Sequence, residues 1–412
     1  MPKCGHRKDA QVNPTDPCCP PAPPCDGKAG GQPNGPLAYF GDMIEHCLAY
    51  AESAKAAGRP IVGIMCEYTP REIILAAGGV PVCLCGGSAE TIPAAEKVLP
   101  ANLCPLIKST YGHLCEGSNP FLEMADLIVA ETTCDGKKKM FEWMAERKAM
   151  HVLELPQKPD EPDAPARWRA ELDKLADGLR ERFGATISDA DLRAAARLMN
   201  RERSLRRQLA DLMMADAPPL TGRQLLDLKS SISGIEADLA QYELALAELR
   251  AAPAACTAGR PRVLLTGVPT PHGAQRVVDI IEDRGGLIVC MENCTGLKPI
   301  LDDVDADAPD IMAAIAEKYL HLPCSVMTPN TARLESLCEL ARRFRADCVV
   351  ELIWQACLTY DVESPRVRRL CQDELHLPYL RIETDYSPSD SARIAVRVEA
   401  LLETVGSRGA RV

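Results

Sequence analysis

Twice along this chain of 412 residues, short aliphatic runs alternate with helix-length amphipathic patterns, and that alternation leaves few folds open. In the first stretch, 60–65, 80–84, 126–130 and 151–155 read as strands. The segments 37–57, 69–78, a run opened by Cys104-Pro105, and 137–147 read as helices. The second stretch repeats the plan. Its strands are expected at 263–266, 287–291, 348–353 and 378–382, with helices at 273–284, up to Tyr319, from about Thr331, and at 389–403. Strands alternating with helices imply a parallel sheet covered on both faces, with ligands gathered beyond the carboxyl ends of the strands.

The expected fold is therefore α/β, with two doubly wound, Rossmann- or flavodoxin-like parallel-sheet domains and a helical segment between them. The domains are placed at 37–157 and 259–412 and the helical segment at 158–258. Within that segment Ser188 caps a long helix to about Met214, and Thr221 starts another to about Ala252, interrupted near Gly234. Its many Lys and Arg side chains read as solvated helix faces. Residues 1–36 are rich in Cys, Pro and Gly without hydrophobic periodicity, and with Cys4, Cys18, Cys19, Cys25 and His6 they read as a flexible leader. Apolar residues are 46% of the chain but aromatics only 4%, so the core is expected to be aliphatic.

A net charge of -11 argues against nucleic acid or an anionic membrane as the main partner. There is no apolar leader at Met1 and no apolar run long enough to span a bilayer, which points to a cytoplasmic protein. Nineteen cysteines in a reducing compartment are hard to explain as disulfides and turn attention to metal, iron and sulfur above all. Zinc sites favour C-x₂-C pairs. The six cysteines that fall at strand ends or helix starts make no such pair: Cys66, Cys104 and Cys134 in the first half, Cys294, Cys324 and Cys357 in the second. Cys47, Cys83, Cys85, Cys115, Cys290, Cys338, Cys348 and Cys371 read as small buried hydrophobes. A cubane of four irons wants four ligands. Three cysteines per domain would leave one iron of each cubane to water, substrate or a shared sulfide. Glu67, His113 and Glu292 flank the ligands as candidate catalytic proton donors, and Lys137, Lys138 and Lys139 read as a solvated face.

The run Gly63-Ile-Met-Cys-Glu-Tyr-Thr-Pro-Arg-Glu-Ile-Ile, with Ala76-Ala-Gly-Gly-Val-Pro81 and Ile382-Glu-Thr-Asp-Tyr-Ser387, resembles the 2-hydroxyacyl-CoA dehydratase subunits. Within that family, Cys104-Pro-Leu-Ile-Lys-Ser-Thr-Tyr-Gly112, Glu131-Thr-Thr-Cys-Asp-Gly-Lys, Glu292-Asn-Cys-Thr-Gly296 and Trp354-Gln-Ala-Cys357 look like the double-cubane cluster proteins. The resemblance implies a homodimer whose subunits each hold two 4Fe-4S units bridged by sulfide on the six cysteines. It also implies a separate ATP-hydrolysing activator with its own 4Fe-4S cluster as electron donor. This chain shows neither G-x₄-G-K-[ST] nor G-x-G-x-x-G, as expected of the receiving partner. The implied function is low-potential reduction of a small-molecule substrate. The alternatives are a dehydratase or acyl-CoA reductase subunit with a single 4Fe-4S cluster, and a non-catalytic electron carrier.

Overall fold

A computed structural model describes residues 35–251 and 257–409, so the expectations for the leader and its cysteines lie outside the described residues. The first half runs α1 (Pro36–Gly41), α2 (Met43–Ala56), β1 (Ile61–Ile64), α3 (Arg71–Ala76), β2 (Val80–Cys83) and α4 (Ile92–Ala95). It continues through α5 (Pro105–Glu116), α6 (Pro120–Met124), β3 (Leu127–Glu131), α7 (Asp135–Ala145) and β4 (Met150–Leu153). Four helices follow: α8 (Ala164–Phe183), α9 (Asp189–Asp211), α10 (Gly222–Asp227) and α11 (Glu236–Ala251). The second half runs β5 (Arg262–Gly267), α12 (Arg276–Asp283), β6 (Leu287–Met291), α13 (Ile311–Leu320), α14 (Thr331–Arg343), β7 (Cys348–Trp354), α15 (Leu358–Arg369), β8 (Tyr379–Thr384) and α16 (Ser391–Gly409). No helix among the described residues is long and apolar enough to cross a membrane.

The strands form two four-stranded, wholly parallel sheets with the same order, β2-β1-β3-β4 and β6-β5-β7-β8. The central strands β1, β3, β5 and β7 are covered on both faces, which is why they read as apolar runs, whereas the edge strands β4 and β8 are half-buried. Ile61 and Ile128 of the first sheet share one apolar cluster with Val263, Leu265 and Val350 of the second. On the opposite face of the first sheet, Val62, Ile64 and Val129 pack on Trp168 and Leu172 of α8 and on Ile315 and Tyr319 of α13. On the outer face of the second, Leu264, Val289 and Val349 meet Leu209 of α9 and Tyr242 of α11.

The helical segment is thus a wall shared by both sheets. The long helix α9 starts at Ser188, whose hydroxyl and the Asp191 carboxylate form a capping box. Its Leu192 and Ala196 lie in the cluster of the first sheet and its Leu205 and Leu209 in that of the second. Arg197 and Arg201 of α9 are exposed, as expected from the sequence, but other arginines of the helix are not a solvated face. Arg193 donates to the carbonyls of Ala306 and Ala308 at 2.8 and 2.7 Å, and Arg207 to that of Ile300 at 2.6 Å. Arg203, 2% exposed, is paired with the buried Glu72 of α3, and Tyr319 of α13 donates to the same carboxylate at 2.8 Å.

Two expected helices are interrupted. The run 37–57 breaks at Asp42 into α1 and α2. The helix begun by the Thr221 capping box ends at Asp227, and Ile232 bridges antiparallel to Val82, extending the edge of the first sheet before α11 begins. Gly234 sits there at φ +80, a conformation that glycine adopts without strain. The halves also meet backbone to backbone at Gly87, where a Cβ would lie 2.0 Å from the carbonyl oxygen of His272.

Glu72, Arg203 and Tyr319 come from three elements, so removing the cation strands a buried carboxylate. Arg203→Met is expected to destabilise the protein by about 3–5 kcal/mol, read as a fall in the thermal midpoint. Arg203→Met/Glu72→Leu is expected to recover part of that loss. A single variant within about 0.5 kcal/mol of wild type would show that the network is not the clamp.

Candidate functional site

The carboxyl ends of both sheets open on one cavity of about 1070 Å³. All six cysteines at strand ends and helix starts line it, and so do Cys83 and Cys85, which read as core residues in the sequence. Cys290, by contrast, is buried within β6 and away from this cavity.

The six do not group by half. Cys66 has Cys294 and Cys324 as its charged-state neighbours, and Cys104 has Cys357 and Cys134. Each trio therefore draws on both halves, and three cysteines per domain do not make one site per domain. Topology explains part of this. Cys104 and Cys324 precede corresponding helices, and Cys134 and Cys357 follow the corresponding strands β3 and β7. Cys66 follows β1 whereas Cys294 follows β6, the counterpart of β2, so these two are not equivalent. Cys85, just past β2, is the topological counterpart of Cys294.

Cys104, Cys134 and Cys357 are the N-cap residues of α5, α7 and α15. Three helix N-termini thus converge on one trio, each offering backbone N–H groups and a positive dipole end to a thiolate. The Lys137 amide donates to Cys134 Sγ at 3.5 Å. The Cys357 thiol hydrogen-bonds Cys104, which together with the amides of Leu106 and Ile107 outweighs burial and holds the Cys104 thiol below its usual range. Burial pushes Cys134 up. The bond to Cys104 and burial push Cys357 well up.

Cys66, Cys294 and Cys324 sit on loops and cap no helix. Burial pushes the thiol of Cys66 well up and that of Cys294 up to about 12, and buried lysines oppose both shifts. Lys298 acts on Cys294; its ammonium lies 3.3 Å from Glu292 and donates to Tyr360 Oη at 2.8 Å. Lys137 acts on Cys66, and it also lies among the charged neighbours of Cys134 in the other trio. It is buried in the cavity wall and donates to the Met65 carbonyl at 2.7 Å, unlike the exposed Lys138 and Lys139 with which the sequence grouped it. Behind it, burial pushes the Glu131 carboxyl up to about 7, partly opposed by Lys137 and by the Thr69 hydroxyl.

The three expected proton donors occupy different surroundings. Glu67 lines the cavity, but it is ion-paired to Arg71 at 2.7 Å and lies 3.8 Å from Lys229; burial alone would raise its carboxyl, and these cations hold it below its usual range. Glu292 is fully buried behind the cavity, where Thr266 donates to it at 2.5 Å and Lys298 and Arg333 lie at 3.3 and 3.6 Å. His113 lies near the far end of α5, with Nδ1 2.8 Å from Ser118 Oγ, and does not line the cavity. Tyr360 lines the cavity and was not singled out in the sequence; its oxygen accepts from Lys298, which leaves its own O–H free to donate. Only its position one turn beyond Cys357 could have flagged it.

Such a donor set, sulfur-rich, buried and compensated by helix N-termini and ammonium groups, fits an anionic iron-sulfur group. Comparison with known proteins agrees with the fold and the motifs. Residues 66–405 match the family described as 2-hydroxyglutaryl-CoA dehydratase, D-component. The chain is 42% identical over 360 residues, 85% of its length and 92% of the relative's, to the provisionally named dehydratase subunit YjiM of Escherichia coli K12. It is 21% identical over 375 residues, 89% of its length and 97% of the relative's, to the (R)-phenyllactyl-CoA dehydratase beta subunit of Clostridium sporogenes. With subunit beta of (R)-2-hydroxyglutaryl-CoA dehydratase from Acidaminococcus fermentans it shares 21% over 364 residues, 85% of its length and 94% of the relative's. The family match starts at Cys66, just past β1, and takes in the other seven strands, the shared helical wall and all six cysteines at strand ends and helix starts, and the chain belongs to the 2-hydroxyglutaryl-CoA dehydratase D-component family.

Proposed function

We propose that this protein is a low-potential reductase component in which Cys66, Cys294 and Cys324 ligate one 4Fe-4S unit, and Cys104, Cys134 and Cys357 a second, bridged by sulfide. The observation that carries this reading is that both trios line one cavity and share Lys137 as a charged neighbour. When bound, such a group supplies one-electron chemistry at low potential, and two linked units can hold more than one electron. The protein's part is to hold six thiolates in place, to compensate their charge and to exclude bulk water. Tyr360, in the cavity wall, is the proton donor in this reading, and Lys298 donates to its oxygen. The electrons come from a separate ATP-hydrolysing activator, and the working form is a homodimer acting on a small substrate.

The second reading is a dehydratase-type subunit with one 4Fe-4S cluster, favoured by the names of the relatives that align along nearly their whole length. It requires a CoA-thioester substrate and a dissimilar partner subunit. Iron and acid-labile sulfide per chain in anaerobically purified protein separate the readings. The linked double cubane predicts about eight irons with slightly more sulfide, and loss of cluster in both Cys357→Ser and Cys324→Ser, one from each trio. About four irons, insensitive to one of these substitutions, would select the dehydratase reading; zinc without sulfide would sink both.

Lys137 provides a second test. A cation beside the ligands favours the more negative, reduced state. Lys137→Met is therefore expected to shift the cluster's midpoint potential negative by on the order of 60 mV, the one-electron equivalent of about 1.4 kcal/mol. Lys138→Met, at an exposed position of the same helix, is expected to leave the potential within about 10 mV of wild type. Equal shifts in the two variants would remove Lys137 from the charge compensation of the site.

A further inference from the structure

Outside the thiol cavity, three side chains of metal-binding type converge between α2 and α11. A ring nitrogen of His46, the sulfur of Cys47 and a carboxylate oxygen of Asp238 lie within 4.8 Å of one another. His46 and Cys47 are neighbours on α2, and Asp238 stands in the first turn of α11, so the chain brings them together only by folding. Cys47 is fully buried and Asp238 is 2% exposed.

The polar atoms of this cluster are under-used. His46 Nε2 lies 3.5 Å from Asp238 Oδ1, and neither ring nitrogen has a hydrogen-bond partner among the described residues. The same is true of Asp238 Oδ2. Asp238 pairs with no Lys or Arg in any ion pair found among the described residues, and His46 compensates it only when protonated. A carboxylate this deep with an idle oxygen calls for a cation or a proton. The outer contacts, meanwhile, are in order. Tyr39 Oη donates to Asp238 Oδ1 at 2.8 Å, and the Tyr39 ring stacks on His46 with centroids 4.2 Å apart. Ser230 Oγ lies 3.1 Å from Cys47 Sγ. Orienting contacts of this kind hold ligands in place around a metal.

We propose that His46, Cys47 and Asp238 form a mononuclear site for a divalent transition-metal ion that pins α2 to α11, with zinc the best match. Imidazole, thiolate and carboxylate together suit a borderline cation in tetrahedral coordination and do not suit the hard cations calcium and magnesium. One thiolate and one carboxylate neutralise a dication, which removes the uncompensated charge from the interior. The fourth position falls to water, reached along the His46 side chain, which is 21% exposed.

The test uses the full-length, anaerobically purified protein given one equivalent of zinc chloride and then desalted. Zinc and iron per chain are measured in wild type, Asp238→Asn, Cys47→Ala and the cavity variant Cys134→Ser. Expected is about one zinc in wild type, at least a tenfold loss in the first two variants with iron unchanged, and full zinc in Cys134→Ser. Zinc K-edge absorption of the wild type is expected to show one sulfur and otherwise nitrogen or oxygen, a readout that does not depend on any variant folding. A sulfur-rich zinc shell would place the ion on other cysteines and overturn the proposal. So would the absence of zinc from wild type, or zinc retained in both Asp238→Asn and Cys47→Ala.

Discussion

Thiolates do not tolerate burial without positive charge nearby, and eight cysteines share one cavity at the junction of the two sheets. Left alone, burial keeps most of these thiols protonated, as the upward shifts of Cys66, Cys134 and Cys294 record. A cavity that is to hold several of them as anions must therefore import positive charge through its walls. The elements around it do so: three helices begin there, and two lysines are buried beside the sulfurs. The parallel sheets make this possible, because strands that all run one way deliver every following helix with its N-terminus on the same side.

Since each trio takes residues from both halves, the site exists only while the halves hold their relative position. The helical segment supplies that position. Its long helix α9 buries one end against the first sheet and the other against the second, and its arginines bond carbonyls of the 300–308 loop. The Glu72, Arg203 and Tyr319 network adds a buried charge contact between α3, α9 and α13. Near the trio of Cys66, Cys294 and Cys324, Arg333 is fully buried among Glu292, Glu351 and Glu363 and stacks 4.9 Å from the Tyr360 ring. These charged networks contribute less to net stability than to fixing one arrangement, because a misplaced half would strand a carboxylate in the interior.

The sheets were legible in the sequence because most strands are covered on both faces and so leave short aliphatic runs, the edge strands β4 and β8 being more exposed, and the capping boxes at Ser188 and Thr221 announced their helices. The six cavity cysteines were legible because a residue at a strand end or helix start is near the ligand side of such a sheet whatever the tertiary packing. Their grouping was not, since it depends on how two halves dock and no local pattern encodes that. The surroundings of Glu67 and Glu292 were not legible either: Arg71 is one turn from Glu67, but Lys229 is far from it in sequence, and Arg333 is 41 residues away from Glu292. Lys137 could not be told from Lys138 and Lys139 by type, only by the turn of α7 that buries one and exposes two. The interruption expected near Gly234 falls within the observed break between Asp227 and Glu236, but the pairing of Ile232 with β2 had no local signature.

The two trios meet the charge problem by different means, and the difference follows from topology. Cys104, Cys134 and Cys357 cap helices of 12, 11 and 12 residues, whose free N–H groups are fixed as long as the helices stand. Cys66, Cys294 and Cys324 lie in loops where no helix begins, so side chains must bring the charge, Lys298 to one and Lys137 to another. A helix terminus acts only within its first turn. A lysine reaches farther, and Lys137 stands one turn beyond Cys134 on α7, on the side where its own cysteine faces the cavity. The helix that carries a sulfur to one trio therefore also carries a cation to the other. The length of that side chain thus gives the two trios one electrostatic contact.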